Sequence, residues 1–207
     1  RHAALGDPVR LAIVEFVRDS DRTVNSIQQF VEVSSSLLAH HLDVLEGVGL
    51  ITRRQSDADG RKRFVSLEAG SLPRFSNGPI PDRLVFVCTE NAARSQLASA
   101  LWTKITGSRA SSAGTKPARE VHPLAVEVGK DRGLDLSTAM PRPLGHGASG
   151  GSMVVTVCDG AFEELGSRRI DAHWSIPDPA KRGTRKAFLD ALDAIEERIN
   201  NMKGTSR

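Results

Sequence analysis

The chain has 207 residues, 39% hydrophobic and 26% charged, with a formal net charge of +3. That composition is ordinary for a globular protein, and the length accommodates one large domain or two small ones. No apolar stretch approaches the roughly 20 residues needed to cross a bilayer and no signal peptide is visible, so no membrane association and a cytoplasmic location are expected. The chain opens at Arg1 rather than Met, so residues upstream of it are expected. Two cysteines far apart make neither a disulfide framework nor a zinc site, and the six histidines have no metal-ligand spacing with them. No metal is expected, and in a reducing compartment Cys88 and Cys158 read as reactive or buried thiols. A charge of +3 is too small to indicate nucleic-acid binding by itself.

Asp7 and Pro8 predict the start of a helix over residues 8–18, with Val9, Ile13, Phe16 and Val17 as its apolar positions. Thr23 is placed to cap a second helix over 24–30. Glu32, Val33 and Ser34 form a turn, and a third helix over 35–45 turns Leu38, Leu42 and Leu45 inward. Two β-capable runs, residues 47–54 and 61–67, surround the polar turn Asp57-Ala58-Asp59-Gly60 and predict a hairpin. Its arms carry Arg53, Arg54, Arg61, Lys62 and Arg63. Helix, turn, helix and a basic hairpin make the winged helix-turn-helix plan, in which one helix reads the major groove and the wing cations meet phosphates. A small helical domain with a solvated basic hairpin gives the same pattern.

Three segments carry a resemblance: Leu5-Gly6-Asp7-Pro8-Val9-Arg10-Leu11, His40-His41-Leu42-Asp43-Val44-Leu45, and Gly49-Leu50-Ile51 before the wing. Residues 1–68 resemble the ArsR-type bacterial repressors. The resemblance implies an α+β winged helix-turn-helix domain, a homodimer, and a double-stranded DNA operator released when a ligand binds. Repressors of this type often hold a metal or metalloid through Cys or His, but no Cys precedes position 88 here, so no ligand role is carried over. Leu37 and Ala39 stand where the family often presents polar groups to DNA. Ser35, Ser36 and His40 are left as the candidates for groove contact, with Arg53, Arg54, Arg61, Lys62 and Arg63 as the wing cations.

Residues 69–82 hold three prolines and two glycines without periodicity and are expected to be a linker. No internal repeat occurs on either side of it.

The second half opens with the apolar run Leu84 to Val87, then Cys88-Thr89-Glu90-Asn91-Ala92-Ala93-Arg94-Ser95, then helical spacing at Leu97, Ala98, Leu101 and Ile105. A strand, a tight loop and a helix are a way to hold a tetrahedral oxyanion against a thiolate. Backbone N–H groups converge on one point, the helix N-terminus adds positive potential, and a guanidinium binds two anion oxygens. The same field favours the thiolate. Beyond the loop follow a short strand ending near Thr115, a helix over 123–132, the strand Met153 to Val157 and a helix over 184–202 with Phe188, Leu189, Leu192, Ile195 and Ile199 on one face. Alternating strands and helices predict an α/β domain with a parallel sheet flanked by helices and the ligand loop at a strand's C-terminal end.

The loop, Ser112-Ala113-Gly114-Thr115, Val121-His122-Pro123, Gly133-Leu134-Asp135-Leu136-Ser137 and Pro177-Asp178-Pro179 occur in the order seen in the low-molecular-weight protein tyrosine phosphatases and the arsenate reductases built on their fold. The resemblance covers residues 83 to about 202. It implies Cys88 as nucleophile and Arg94 as oxyanion clamp, with Asn91 and Ser95 shaping the loop and hydrogen-bonding the sulfur. It implies Asp178 as general acid, and the loop residues Thr89, Glu90, Asn91, Ala92, Ala93, Arg94 and Ser95 as the oxyanion site. Glu90 opposes an anion unless its side chain points outward.

Within that family, an aryl phosphate needs aromatic walls. This chain has no Tyr, and Asp178-Pro179 is followed by Ala180, Lys181 and Arg182, which favours a small inorganic anion, arsenate. Cys158 sits where thioredoxin-coupled arsenate reductases carry a second redox cysteine, although a buried small hydrophobe fits the position as well. Their third cysteine is replaced by Leu165, so a three-thiol relay is not expected. Two routes stay open: a Cys88–Cys158 disulfide, or attack by a low-molecular-weight thiol. No bound cofactor is expected, only an external reductant, thioredoxin or a small thiol with a glutaredoxin-type partner. The leading expectation is a regulator of the arsenic response fused to an arsenate reductase. The alternatives are a phosphatase acting on a phosphoester and a non-catalytic oxyanion sensor.

Overall fold

The computed structural model describes residues 1–72, 81–145, 151–166 and 169–203. The chain divides into two compact units, Arg1–Arg74 and Phe75–Arg207. Of the segment expected to be a linker, residues 73–80 lie outside the described residues.

In the first unit, α1 (His2–Leu5) precedes α2 (Pro8–Phe16), which starts as its sequence requires: Asp7 accepts from the Arg10 N–H and Pro8 fills the first turn. This helix ends two residues earlier than its apolar spacing suggests, because Val17 leaves helical geometry as the C-cap while staying fully buried. Thr23 caps α3 (Val24–Val31), and Ser34 caps α4 (Ser35–Gly47) after a turn in which Glu32 is left-handed, at φ 52°. The hairpin is β2 (Ile51–Gln55) with β3 (Arg63–Leu67), antiparallel in the register Ile51 opposite Leu67. A two-residue strand β1 (Arg22–Thr23) joins the far side of β3. Ile13, Val14, Val17, Ile27, Leu38, Leu42 and Leu45 form the core with Leu50, Ile51 and Val65 from the hairpin. Each such buried side chain contributes ~1.5–3 kcal/mol relative to exposure.

The second unit is built on a four-stranded sheet ordered β5-β4-β6-β7, parallel throughout: β4 (Leu84–Cys88), β5 (Ser111–Gly114), β6 (Met153–Thr156) and β7 (Ala172–His173). Every residue of β4 is buried, which is why it reads as an uninterrupted apolar run. Its Phe86 ring meets Trp102 edge-on at 6.2 Å and Trp174 at 5.5 Å. The helices are α5 (Arg94–Thr106), α6 (Pro123–Asp131), α7 (Asp159–Leu165), α8 (Pro179–Arg182) and α9 (Arg185–Lys203). Helices α5 and α6 pack on α9, and α7 packs on β4 and β6. The inward face of α9 is Phe188, Ala191, Leu192, Ile195 and Ile199, with Leu189 at its margin.

Candidate functional site

The loop between β4 and α5 is shaped from behind. The carbonyls of Cys88, Thr89, Glu90 and Ala92 accept from the backbone N–H groups of Thr115, Lys116, Ala118 and His122 at 3.2, 2.8, 2.9 and 2.8 Å. A planar trans peptide points its N–H opposite its C=O, so tying these carbonyls turns the following amides to the other side, that of Asn91 onto the Cys88 sulfur and that of Thr89 onto the Cys158 sulfur. Asn91 occupies the left-handed region at φ 51°, which its short polar side chain tolerates. Gly114, paired with Cys88 across β4 and β5, makes room: a Cβ there would lie 2.8 Å from the Thr89 carbonyl oxygen.

Cys88 is buried, and its Sγ lies 3.0 Å from Ser95 Oγ and accepts the Asn91 N–H at 3.1 Å. Asn91 is fixed in turn. Its Nδ2 donates to Ser95 Oγ at 2.7 Å, and its Oδ1 accepts from Gln96 Nε2 at 3.1 Å and from the Arg142 N–H at 2.8 Å. Gln96, absent from the sequence-derived site, thus supports the loop and also reaches the Met140 carbonyl. Its only signal was a polar side chain at a buried helical position. Ala92 and Ala93 are buried and Thr89 half-buried; Glu90 is exposed and its side chain points outward.

Arg94 is nine-tenths buried. Its Nη1 donates to the Ile176 carbonyl at 2.9 Å and its Nη2 lies 3.1 Å from Asp178 Oδ2. Asp178 also caps α8 through the Ala180 N–H. The structure therefore gathers Cys88, Asn91, Arg94, Ser95 and Asp178 into one constellation.

Cys158 joins them from the turn between β6 and α7. Its Sγ accepts the Thr89 N–H at 3.2 Å, lies 3.5 Å from Thr89 Oγ1, and accepts the Ala161 N–H at 3.3 Å as the cap of α7. Both cysteines are free thiols. Burial pushes the Cys158 thiol above its ordinary pKa; the charge of Arg94 pulls it down, and that of Cys88 pushes it further up.

The N-terminal candidates fall into two groups. Ser35, Ser36 and His40 are exposed on the first turns of α4. The wing cations are mostly paired. Arg53 bonds Asp43 at 2.8 Å and, through Nε, Glu46 at 2.9 Å, so it fastens β2 to α4 and holds the Glu46 carboxyl below its usual range. Arg54 pairs with Asp57 at 3.2 Å, and Arg61 and Lys62 pair with Asp59 at 3.0 and 3.6 Å. The bond from Arg61 brings Asp59 down to about 2. Arg63 is exposed, and no ion pair is found for it among the described residues.

Residues 83–205 match the family model described as low molecular weight phosphotyrosine protein phosphatase. The chain belongs to this family. Residues 7–53 match a second model, bacterial regulatory protein of the arsR family, so a family member is here joined to an ArsR-type helix-turn-helix region. The phosphatase-family part is 31% identical over 135 residues to the arsenate reductase of Halalkalibacterium halodurans, covering 60% of this chain and 96% of that one. The N-terminal part is 38% identical over 53 residues to the HTH-type transcriptional repressor SmtB of Mycobacterium tuberculosis, covering 26% of this chain and 39% of the repressor. Among solved structures, the tyrosine phosphatase amsI of Erwinia amylovora superposes with a TM-score of 0.54 at 18% identity, over 63% of this chain and 97% of that one. That likeness shows the family fold.

Proposed function

We propose that the protein is a DNA-binding regulator fused to an arsenate reductase, and that Cys88, Arg94, Asp178 and Cys158 carry the chemistry. One observation carries the reading: two free thiols border the same oxyanion loop, Cys88 inside it and Cys158 bonded to its first amide. Phosphoester hydrolysis needs a single thiolate and gives the Cys158 thiol no chemical task.

In the first step the Cys88 thiolate forms an S–As bond while one arsenic–oxygen bond breaks. The loop amides and Arg94 neutralise the remaining oxygens, and Asp178 delivers a proton to the departing one. In the second step the Cys158 thiolate attacks Cys88 Sγ. The S–S bond forms and the S–As bond breaks, with its electron pair passing to arsenic. Arsenic(V) leaves as arsenite, and two thiols have become one disulfide. With Leu165 in place of a third thiol, an external thiol reductant restores both cysteines directly. Free thiols that cycle in this way suit a reducing, cytoplasmic setting.

The other half supplies a recognition helix, α4, whose exposed Ser35, Ser36 and His40 face the bases, and a wing whose Arg63 contacts phosphate. Its likeness to a transcriptional repressor supports an operator as its partner and a homodimer as its working form.

The test is to supply the purified protein with arsenate or with p-nitrophenyl phosphate, under thioredoxin or under glutathione with glutaredoxin, and to measure arsenite and phosphate. Arsenite in either redox system supports the reductase. Phosphate release without arsenite would replace it by a phosphatase.

A further inference from the structure

A buried polar network lies directly behind Cys158. The ring of His173, fully buried, reaches Thr156 Oγ1 from Nδ1 at 2.9 Å and Asp159 Oδ1 from Nε2 at 3.2 Å. Thr156 lies two residues before Cys158 and Asp159 one residue after it, so a single imidazole grips the chain on both sides of the sulfur. Ser175 Oγ donates a further bond to the same Asp159 oxygen at 2.7 Å, and the Phe162 ring of α7 stacks on the imidazole at 4.3 Å. Burying a carboxylate and an imidazole is expensive unless they bond each other well.

We propose that His173 and Asp159 are the positioning pair for Cys158, clamping residues 156–159 so that the sulfur stays on the amide of Thr89, the residue that follows Cys88. This rests on the reductase reading above and gives its second step a geometry. Attack on a sulfur requires the incoming thiol to be held in place, and a shift of about 1 Å costs on the order of a hundredfold in rate. With Leu165 there is no third thiol to which the disulfide would have to be carried, so a fixed segment is compatible with turnover.

The experiment compares the wild type with Asp159→Ala, Asp159→Asn and His173→Gln under one equivalent of arsenate, following Cys88–Cys158 disulfide by mass spectrometry. In parallel, without arsenate, iodoacetamide labelling of each cysteine and hydrogen exchange over residues 156–165 are measured. Asp159→Ala and His173→Gln are expected to slow disulfide formation by about tenfold to a hundredfold, with KM for arsenate and Cys88 labelling unchanged within about twofold. Cys158 labelling and exchange in 156–165 should rise. Asp159→Asn, which keeps the acceptor oxygen, should recover most of the rate. Should Asp159→Ala fail to fold, the volume-conserving His173→Gln variant carries the same comparison. Wild-type disulfide formation with no slowing in the variants overturns the positioning role and leaves the reductase intact. No disulfide in the wild type overturns the Cys158 step of the reductase reading, and unchanged labelling and exchange in the variants then overturn the clamp as well.

Discussion

Thr89 donates its backbone N–H to the sulfur of Cys158 at 3.2 Å, so the peptide that opens the oxyanion loop is anchored on the second thiol. Cys158→Ser keeps an acceptor for that amide, and the loop should stay intact, with Cys88 alkylated at its normal rate. Arsenite release with thioredoxin alone should fall by about a hundredfold or more, and no internal disulfide should form. Full activity in this variant would transfer the second step from Cys158 to the external reductant itself.

The pH dependence of the disulfide step follows from the burial of Cys158. Its pKa is raised, so near neutrality it is almost entirely thiol, and the attacking thiolate grows about tenfold per pH unit. Single-turnover disulfide formation should therefore climb between about pH 6 and 8.5 without levelling. A plateau below pH 8 would contradict this. The same shift acts on stability: its contribution is fully present below the unfolded thiol's value of about 8.5 and is lost as pH rises through the higher folded one.

Arg94→Lys retains the charge but removes the planar fork that reaches both Ile176 and Asp178. The expected loss in kcat/KM for arsenate is about a hundredfold, ~2.7 kcal/mol of transition-state stabilisation. Steady-state kinetics beside the wild type measure it; a loss of less than about threefold would remove Arg94 from the oxyanion site.

In the wing, Arg53 and Arg63 should respond oppositely. Arg53→Ala breaks its bonds to Asp43 and Glu46 and should destabilise the first unit by ~1 kcal/mol or less, read by chemical denaturation. Arg63→Ala should leave stability unchanged, weaken DNA binding without regard to sequence, and lower the slope of log K against log salt by about one.

Several of these positions were legible from the sequence because their signals are local. Asp7, Thr23 and Ser34 sit where a helix needs a cap, and the strand-loop-helix around Cys88 is contiguous. What escaped depends on pairing across the fold. The two residues of β1 have no alternation to reveal them, and α7 is too short for periodicity. Cys158 meets Thr89 only because β4 and β6 run parallel in a register that no spacing encodes. The wing's positive charge was visible, but its acidic partners on α4 and in the turn were not, so Arg53 read as a phosphate contact when its guanidinium is held by Asp43 and Glu46. Nothing local marks His173, because its two partners come from another strand and a helix.

The amino end of α5 has one more consequence. Ala93, its N-cap, offers no side-chain oxygen, so the helix begins without the polar cap that most helices supply for themselves. A tetrahedral anion in the loop would take that role from outside, and binding to the folded form alone adds stability with the logarithm of its concentration, ~2.7 kcal/mol at a hundred times Kd. Sulfate, phosphate and arsenate should each protect the fold in proportion to affinity. Cellular phosphate then becomes both a stabiliser of this domain and a competitor for its site, so the protein is sturdiest when phosphate is plentiful and most responsive to arsenate when phosphate is scarce.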